Sequence, residues 1–323
     1  MDTLYINLND ILIDDSRFSL RHYLFESFNA PTCHITSFDT LGILYPIIVY
    51  ADDKKRYHLV DGRKRVQFAK EMREPRIKAN VLPENTPLTD IITLSFCNKR
   101  NDIESSIMNK IQFLCYAMDL NVSDSWIVKS LCVPFEFKPH SSFLRECERI
   151  CNLPGELKTF CHEKKFSLKQ ILNLTLYPDD LLLHIMKWKS SLQLTASIMD
   201  EIASNVKDYL RREGKSIQDF MSEEGVQEIF DSSLSPRDKT DKFRQLIHLR
   251  RFPVLSEKNS LIQKTVEDLR LNRDIAVDWD RTLEIKNLKV TVDVNDPSRW
   301  GKIIDTLSSE QVKKAIASIL DEL

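Results

Sequence analysis

Along the first eighty residues, apolar and polar positions alternate with a period near two. The runs 4–11, 44–50, 56–60 and 76–82 each read as a strand, and Ile47-Ile48-Val49 makes the second the clearest by its β-branched content. Turn formers separate these runs. Asp14-Asp15-Ser16 closes the first, a short helix predicted over 35–41 ends at Gly42, Asp52-Asp53-Lys54-Lys55 forms a hairpin, and Pro83 stops the last strand. A helix over 66–72 sits between the third and fourth strands. Strand, hairpin, strand, helix, strand describes a small α+β domain over 1–88.

From residue 89 the period lengthens to roughly 3.6 and holds to 213. Helices are predicted over 102–118, 123–131, 141–151, 153–162, 167–174, 178–188 and 194–212. Ser123, Pro139 with Ser141, Ser167, Pro178 and Thr195 stand where such helices begin. Short helices at short spacing give an all-α domain over 89–213. Residues 214–241 are polar, include Gly214 and Gly225, and read as a linker region, most plainly at 232–241, with short helices at 216–221 and 226–230. Helices over 239–249 and 259–269, strands at 283–285 and 288–294, and a last helix over 308–323 complete a small α+β domain over 242–323. Val312, Ile316, Ile319 and Leu320 make one apolar face on that last helix. The whole is a multidomain α+β chain, and so small a final domain gains core by pairing with a second copy.

The 323 residues, 42% hydrophobic and 29% charged, are enough for two or three ordinary cores. The net charge of -2 favours no partner, so the placement of charge decides. Residues 54–78 hold ten Lys or Arg against three Asp or Glu, whereas 252–323 hold eleven against thirteen. Positive charge is thus concentrated near the front, where it can meet a polyanion. The seven cysteines, Cys33, Cys97, Cys115, Cys132, Cys147, Cys151 and Cys161, form no C-x-x-C pair. They read as buried free thiols of a reducing compartment, with a zinc site on Cys147, Cys151, Cys161 and His162 as the alternative. No run of 18 uncharged apolar residues occurs, and Met1-Asp2-Thr3-Leu4 lacks the profile of a secretion signal, so a cytoplasmic protein with no membrane partner is expected.

Two places carry candidate chemistry. In Asp61-Gly62-Arg63-Lys64-Arg65 a strand breaks at glycine and three cations begin a helix, which sets first-turn amides and side chains to receive phosphate together. A solvated charged surface is the alternative. The second place is a helix-turn-helix candidate at 122–150, whose second helix carries Ser141, Ser142, Arg145 and Arg149, short and long side chains suited to phosphates and base edges. Its inter-helix break is longer than the usual three or four residues, and Glu146 and Glu148 oppose DNA. Lys138, Lys164, Lys165 and Lys169 would add salt-dependent attraction. A plain helical scaffold is the competing reading.

Residues 41–49, followed by Tyr57-His58-Leu59-Val60-Asp61-Gly62-Arg63-Lys64-Arg65-Val66-Gln67-Phe68-Ala69, resemble the amino-terminal domain of the ParB family, which is similar to sulfiredoxin. Residues 123–131, Asn152-Leu153-Pro154-Gly155-Glu156-Leu157 and Phe166-Ser167-Leu168-Lys169-Gln170 resemble the helical DNA-binding domain that follows in that family. The resemblance spans about 4–200. It implies a bacterial, nucleoid-associated partition protein that binds double-stranded DNA as a homodimer and takes CTP, or ATP in the wider group, with magnesium. Gly62 and Arg65 match the glycine and final arginine of the family's phosphate box, and Arg100 matches the last residue of its second box.

The chain departs from that pattern twice. Arg63 stands where the box has an acidic residue and Lys64 where it has its first arginine, and Phe96-Cys97-Asn98-Lys99-Arg100 replaces the second box. Turnover is therefore left open. A phosphotransferase or CTPase would use Arg63 and Arg65 on phosphoryl oxygens and Asp61 as metal ligand or base. A non-catalytic structural adaptor is the third reading.

Overall fold

The computed structural model describes residues 2–13, 17–25, 42–54, 56–138 and 140–323. The turn at 14–16, the helix expected at 35–41, Cys33 and Pro139 lie outside them. The chain divides into two units, Met1–Lys189 with Leu194–Ala203, and Ser190–Gln193 with Ser204–Leu323.

The first unit opens with a mixed five-stranded sheet in the order β1-β5-β3-β4-β2. The strands are β1 (Asp2–Asn7), β2 (Ile11–Leu12), β3 (Ile47–Ala51), β4 (Tyr57–Asp61) and β5 (Arg76–Leu82). The run expected as one strand over 4–11 is split by a 3-10 turn at Leu8–Asp10, after which β2 joins the opposite edge. Alternation on β5 buries Ile77 and Ala79 and leaves Arg76 and Lys78 in solvent. The buried side chains meet Ile47, Val49 and Leu59 and then Val66 and Ala69 of helix α1 (Arg63–Glu71). The opposite face is closed by Phe18, Leu82 and Ile91, the last from helix α2 (Leu88–Glu104). In the hairpin, the Asp52 carboxylate accepts from the Arg56 amide at 2.8 Å and guanidinium at 2.8 Å, and lies 3.0 Å from His58 Nε2.

The helical part of this unit is arranged around α3 (Ile107–Asp119), which is buried over most of its circumference. It packs against α2, α4 (Asp124–Ile127), α5 (Ser141–Cys151) and α6 (Gly155–Glu163). Helices α7 (Leu168–Leu174) and α8 (Asp179–Trp188) follow. The single helix expected over 102–118 is broken at Ser105-Ser106. There Ser105 Oγ bonds the Asp102 carbonyl at 2.6 Å, and Ser106 caps the new helix through the Asn109 amide at 3.1 Å. Asn109 is fully buried, and its side chain satisfies four groups. It accepts from the Phe25 amide at 2.8 Å and donates to the Phe25 carbonyl at 3.0 Å, the Asp102 carbonyl at 2.8 Å and Ser105 Oγ at 3.1 Å. Beside it the buried His162 takes a 2.7 Å bond with Ser106 Oγ and stacks on Phe25.

Helix α9 (Ala196–Glu213) begins in the first unit and ends in the second. The second unit adds α10 (Ile217–Met221), α11 (Glu224–Asp231), α12 (Pro236–Arg251) and α13 (Pro253–Asp268), then the antiparallel pair β6 (Ile275–Trp279) and β7 (Leu288–Val292), then α14 (Trp300–Ser308) and α15 (Glu310–Glu322). Two expectations need correction here. The stretch 232–241 is not extended linker, because Ser235 caps α12 by accepting from the Asp238 amide at 3.2 Å and Pro236 takes the first helical position. Residues 283–285 are a turn rather than a strand: the Asp280 carboxylate accepts from the Thr282 and Ile285 amides, and Leu283 has φ of 55°. Among the described residues no helix is long and apolar enough to cross a membrane.

Replacing Asn109 with Ala removes the partner of both backbone polar groups of the half-buried Phe25. A loss of about 2–4 kcal/mol is expected, checked by urea unfolding of the variant against the parent chain.

Candidate functional site

The strand before the loop does not run straight into it. Ile48 pairs with Asp61 but Val49 with Leu59, so Val60 is an extra residue, a bulge just before the last ladder pair and Gly62. Gly62 then takes φ of 107° and caps α1 without a side-chain bond. A Cβ there would lie 2.7 Å from Cγ2 of the fully buried Ile47, so both the backbone angle and the packing demand glycine. The first turn of α1 thus starts with no side-chain cap on its amides, as helix starts that take an oxyanion do.

The three cations behave differently from one another. Arg65 turns back, pairing with Asp61 at 2.8 Å and donating to the Tyr45 carbonyl at 3.2 Å and the Pro46 carbonyl. It braces the loop. Arg63 donates to the Ile13 carbonyl at 3.2 Å, and Lys64 alone of the three is exposed to solvent. Arg100 is exposed on α2, paired with Glu104 at 3.0 Å. Within 96–100, Phe96 packs on Phe113 and Phe135, and Lys99 faces Asp102 at 3.8 Å. Asp61, paired with Arg65, is not a free metal ligand or base. Among the described residues no three His, Cys, Asp or Glu side chains group to hold a metal. The loop thus fits a phosphate, while a magnesium ion would have to take its oxygens from phosphate and water.

The second candidate surface lies on α5. Phe143, Leu144, Cys147 and Ile150 are buried, which leaves Ser141, Ser142, Arg145 and Arg149 exposed together with Glu148. His140, not Ser141, caps this helix: its Nδ1 accepts from the Phe143 amide at 3.0 Å and lies 2.5 Å from Ser142 Oγ. The connection from α4 continues as a π-helical turn at Val128–Cys132 and carries buried Phe135 and Phe137, so it is a packed segment rather than a tight turn. Arg149 lines an open cleft with Asn152, Leu153, Thr175, Tyr177 and Asp179. Lys138, Lys164, Lys165 and Lys169 are all exposed. Lys164 and Lys165 end α6, Lys165 with φ of 52°, and Lys169 lies on α7, which packs against α5. Lys158 was not anticipated. Its Nζ donates to the Cys151 carbonyl at 2.7 Å, and burial lowers its pKa.

No protein-family model matches the chain, and no curated protein does. The structure is similar to solved ParB structures. A C-terminally truncated ParB of Caulobacter crescentus complexed to the centromeric parS site is 10% identical, covering 62% of this chain and 98% of that one, with a TM-score of 0.31. The same protein complexed with CTP-gamma-S is 12% identical over 58% of this chain and 98% of that one, with a TM-score of 0.24. The Pnob8-like ParB-N domain is 13% identical over 77% of this chain and 97% of that one, with a TM-score of 0.36.

Gly62→Ala is expected to cost about 1–3 kcal/mol. Gly225→Ala is the control, since its added methyl meets only ordinary contacts from 3.8 Å outward in α11. Thermal melts of the two variants should separate clearly.

Proposed function

We propose that this chain is a ParB-like DNA-binding protein that presents α5 to duplex DNA and receives a nucleotide or other phosphate at the Gly62 loop. The observation that carries the reading is the two-faced α5, apolar toward α3 and lined on its exposed side by Ser141, Ser142, Arg145 and Arg149. Serines in the first turn suit backbone phosphates, and arginines farther along reach phosphates or guanine edges. Lys138, Lys164, Lys165 and Lys169 supply the sequence-independent attraction, and Glu148 on the same side tempers it. In this reading residues 1–88 hold the phosphate, 89–213 read DNA, and 242–323 associate two copies.

A nucleotide at the loop is favoured by a separate observation, the uncapped first turn behind a glycine that no other residue can replace without displacing Ile47. Binding without turnover is the form these residues support best. Asp61 is engaged by Arg65, and Phe96 is packed inward where the family's second box carries a polar residue.

Double-stranded fragments selected by the purified protein at low salt should include one enriched site, and background binding alone would sink the reading. Changing Lys164 and Lys165 together to Ala should weaken retention on all sequences and lower the salt slope by up to about 0.9 for each phosphate no longer neutralised. Arg145→Ala or Arg149→Ala should cost about 1–3 kcal/mol at the chosen site wherever the arginine reads a base. At the loop, Lys64→Ala should weaken CTP or ATP binding in calorimetry with the melting temperature unchanged, whereas Arg65→Ala should lower the melting temperature. Equal effects of the two variants on stability would contradict the division of labour described for these cations.

A further inference from the structure

The cysteines form a site that their spacing does not announce. Cys115, near the end of α3, and Cys151, the last residue of α5, are joined as a disulfide across a sequence separation of 36. This corrects the expectation that both are free thiols, and it removes Cys151 from any zinc set.

We infer that Cys115 and Cys151 are a reversible thiol–disulfide site, exchanging with a low-molecular-weight thiol and its disulfide, that fastens or releases the end of α5 on α3. Three observations carry this. First, both sulfurs have acceptors waiting for a thiol proton. Gln112 Oε1 lies 3.3 Å from Cys151 Sγ, and the Cys147 carbonyl lies 3.6 Å from Cys115 Sγ. Reduction would therefore leave two satisfied thiols rather than two orphaned groups. Second, Cys115 is buried while Cys151 is half-buried, so Cys151 is the more accessible end for an incoming thiol. Third, the buried competing thiols are quiet. Cys132, Cys147 and Cys161 are buried, and burial pushes each of them up, Cys132 to about 11 and Cys161 to about 12, so they stay protonated and poorly nucleophilic.

The exchange balances without a metal or another cofactor. A thiolate attacks Cys151 Sγ, the bond to Cys115 breaks, and Cys115 leaves as a thiolate that takes a proton. A second thiolate attacks the mixed disulfide, releases the small disulfide and leaves Cys151 as a thiolate, which is then protonated. Arg145 and Arg149 precede Cys151 on the same helix, so the fastened end carries the exposed face assigned to DNA. That consequence rests on the proposed function, whereas the thiol chemistry does not.

The test uses the full chain equilibrated over a series of reduced-to-oxidised glutathione ratios, followed by alkylation and mass mapping of peptides. A Cys115–Cys151 peptide should form at the oxidising end, disappear at the reducing end and return on re-oxidation. Reduction should also lower the melting temperature by about 5–10 °C, a fall that C151S, which cannot form the link, should not show. The inference is overturned by absence of that peptide at every ratio, by a link that survives the reducing end, or by pairing of Cys132, Cys147 or Cys161 instead. C97S should retain the link, because Cys97 is an exposed residue of α2. Mapping on the parent chain needs no variant to fold and no DNA, so loss of DNA binding would count against the proposed function and leave the thiol result standing.

Discussion

A buried amide governs the first unit. The hydrophobic side chains of α3 explain why the helix is central, but they do not specify how the chain leaving the sheet meets it. Asn109 does. Its amide holds both backbone groups of Phe25 and the end of α2 at once, so the segment leading from the sheet, the break at Ser105-Ser106 and the start of α3 are mutually determined. Buried amides of this kind give geometric uniqueness to packing that apolar side chains alone would permit in several forms. His162 extends the arrangement to α6 through Ser106 and Phe25. The candidate DNA face is carried on α5, which leans on the same central helix, so its position inherits this definition.

Much of the architecture was legible locally. The strand Arg76–Leu82 and the helix Ser141–Cys151 were read with the limits they have, because one shows strict alternation and the other a sharp two-faced pattern. What stayed hidden depended on partners distant in sequence. Apolar periodicity runs through Ser105-Ser106 almost without interruption, and the partner that fixes the break, Phe25, lies 84 residues from Asn109. The pairing of Cys115 with Cys151 was invisible for the same reason. Ser235-Pro236 was a different kind of failure. Serine, proline and an acidic residue three places on suit a helix start as well as a linker, and the acidic residue is what distinguishes them.

The candidate site was half legible. The Gly62 loop could be found because glycine before a cationic helix start is a local signal, and α5 could be found from its periodicity. The roles within the loop could not. Nothing in Asp61-Gly62-Arg63-Lys64-Arg65 says that the last arginine, besides pairing with Asp61, faces backward to the carbonyls of Tyr45 and Pro46, since those acceptors lie some twenty residues earlier.

That backward-facing arginine changes how the loop responds to its surroundings. A cation already neutralised by a fixed carboxylate adds little to the far field, so an anion proposed at the loop would be held chiefly through short-range amide dipoles that counterions do not displace. The lysines and arginines proposed to meet DNA around α5 would act through the opposite regime, attraction that weakens as salt rises. In the proposed reading the chain would carry two anion-contacting surfaces with different sensitivities to ionic strength, and as salt increases the helix face would let go of its partner before the loop did.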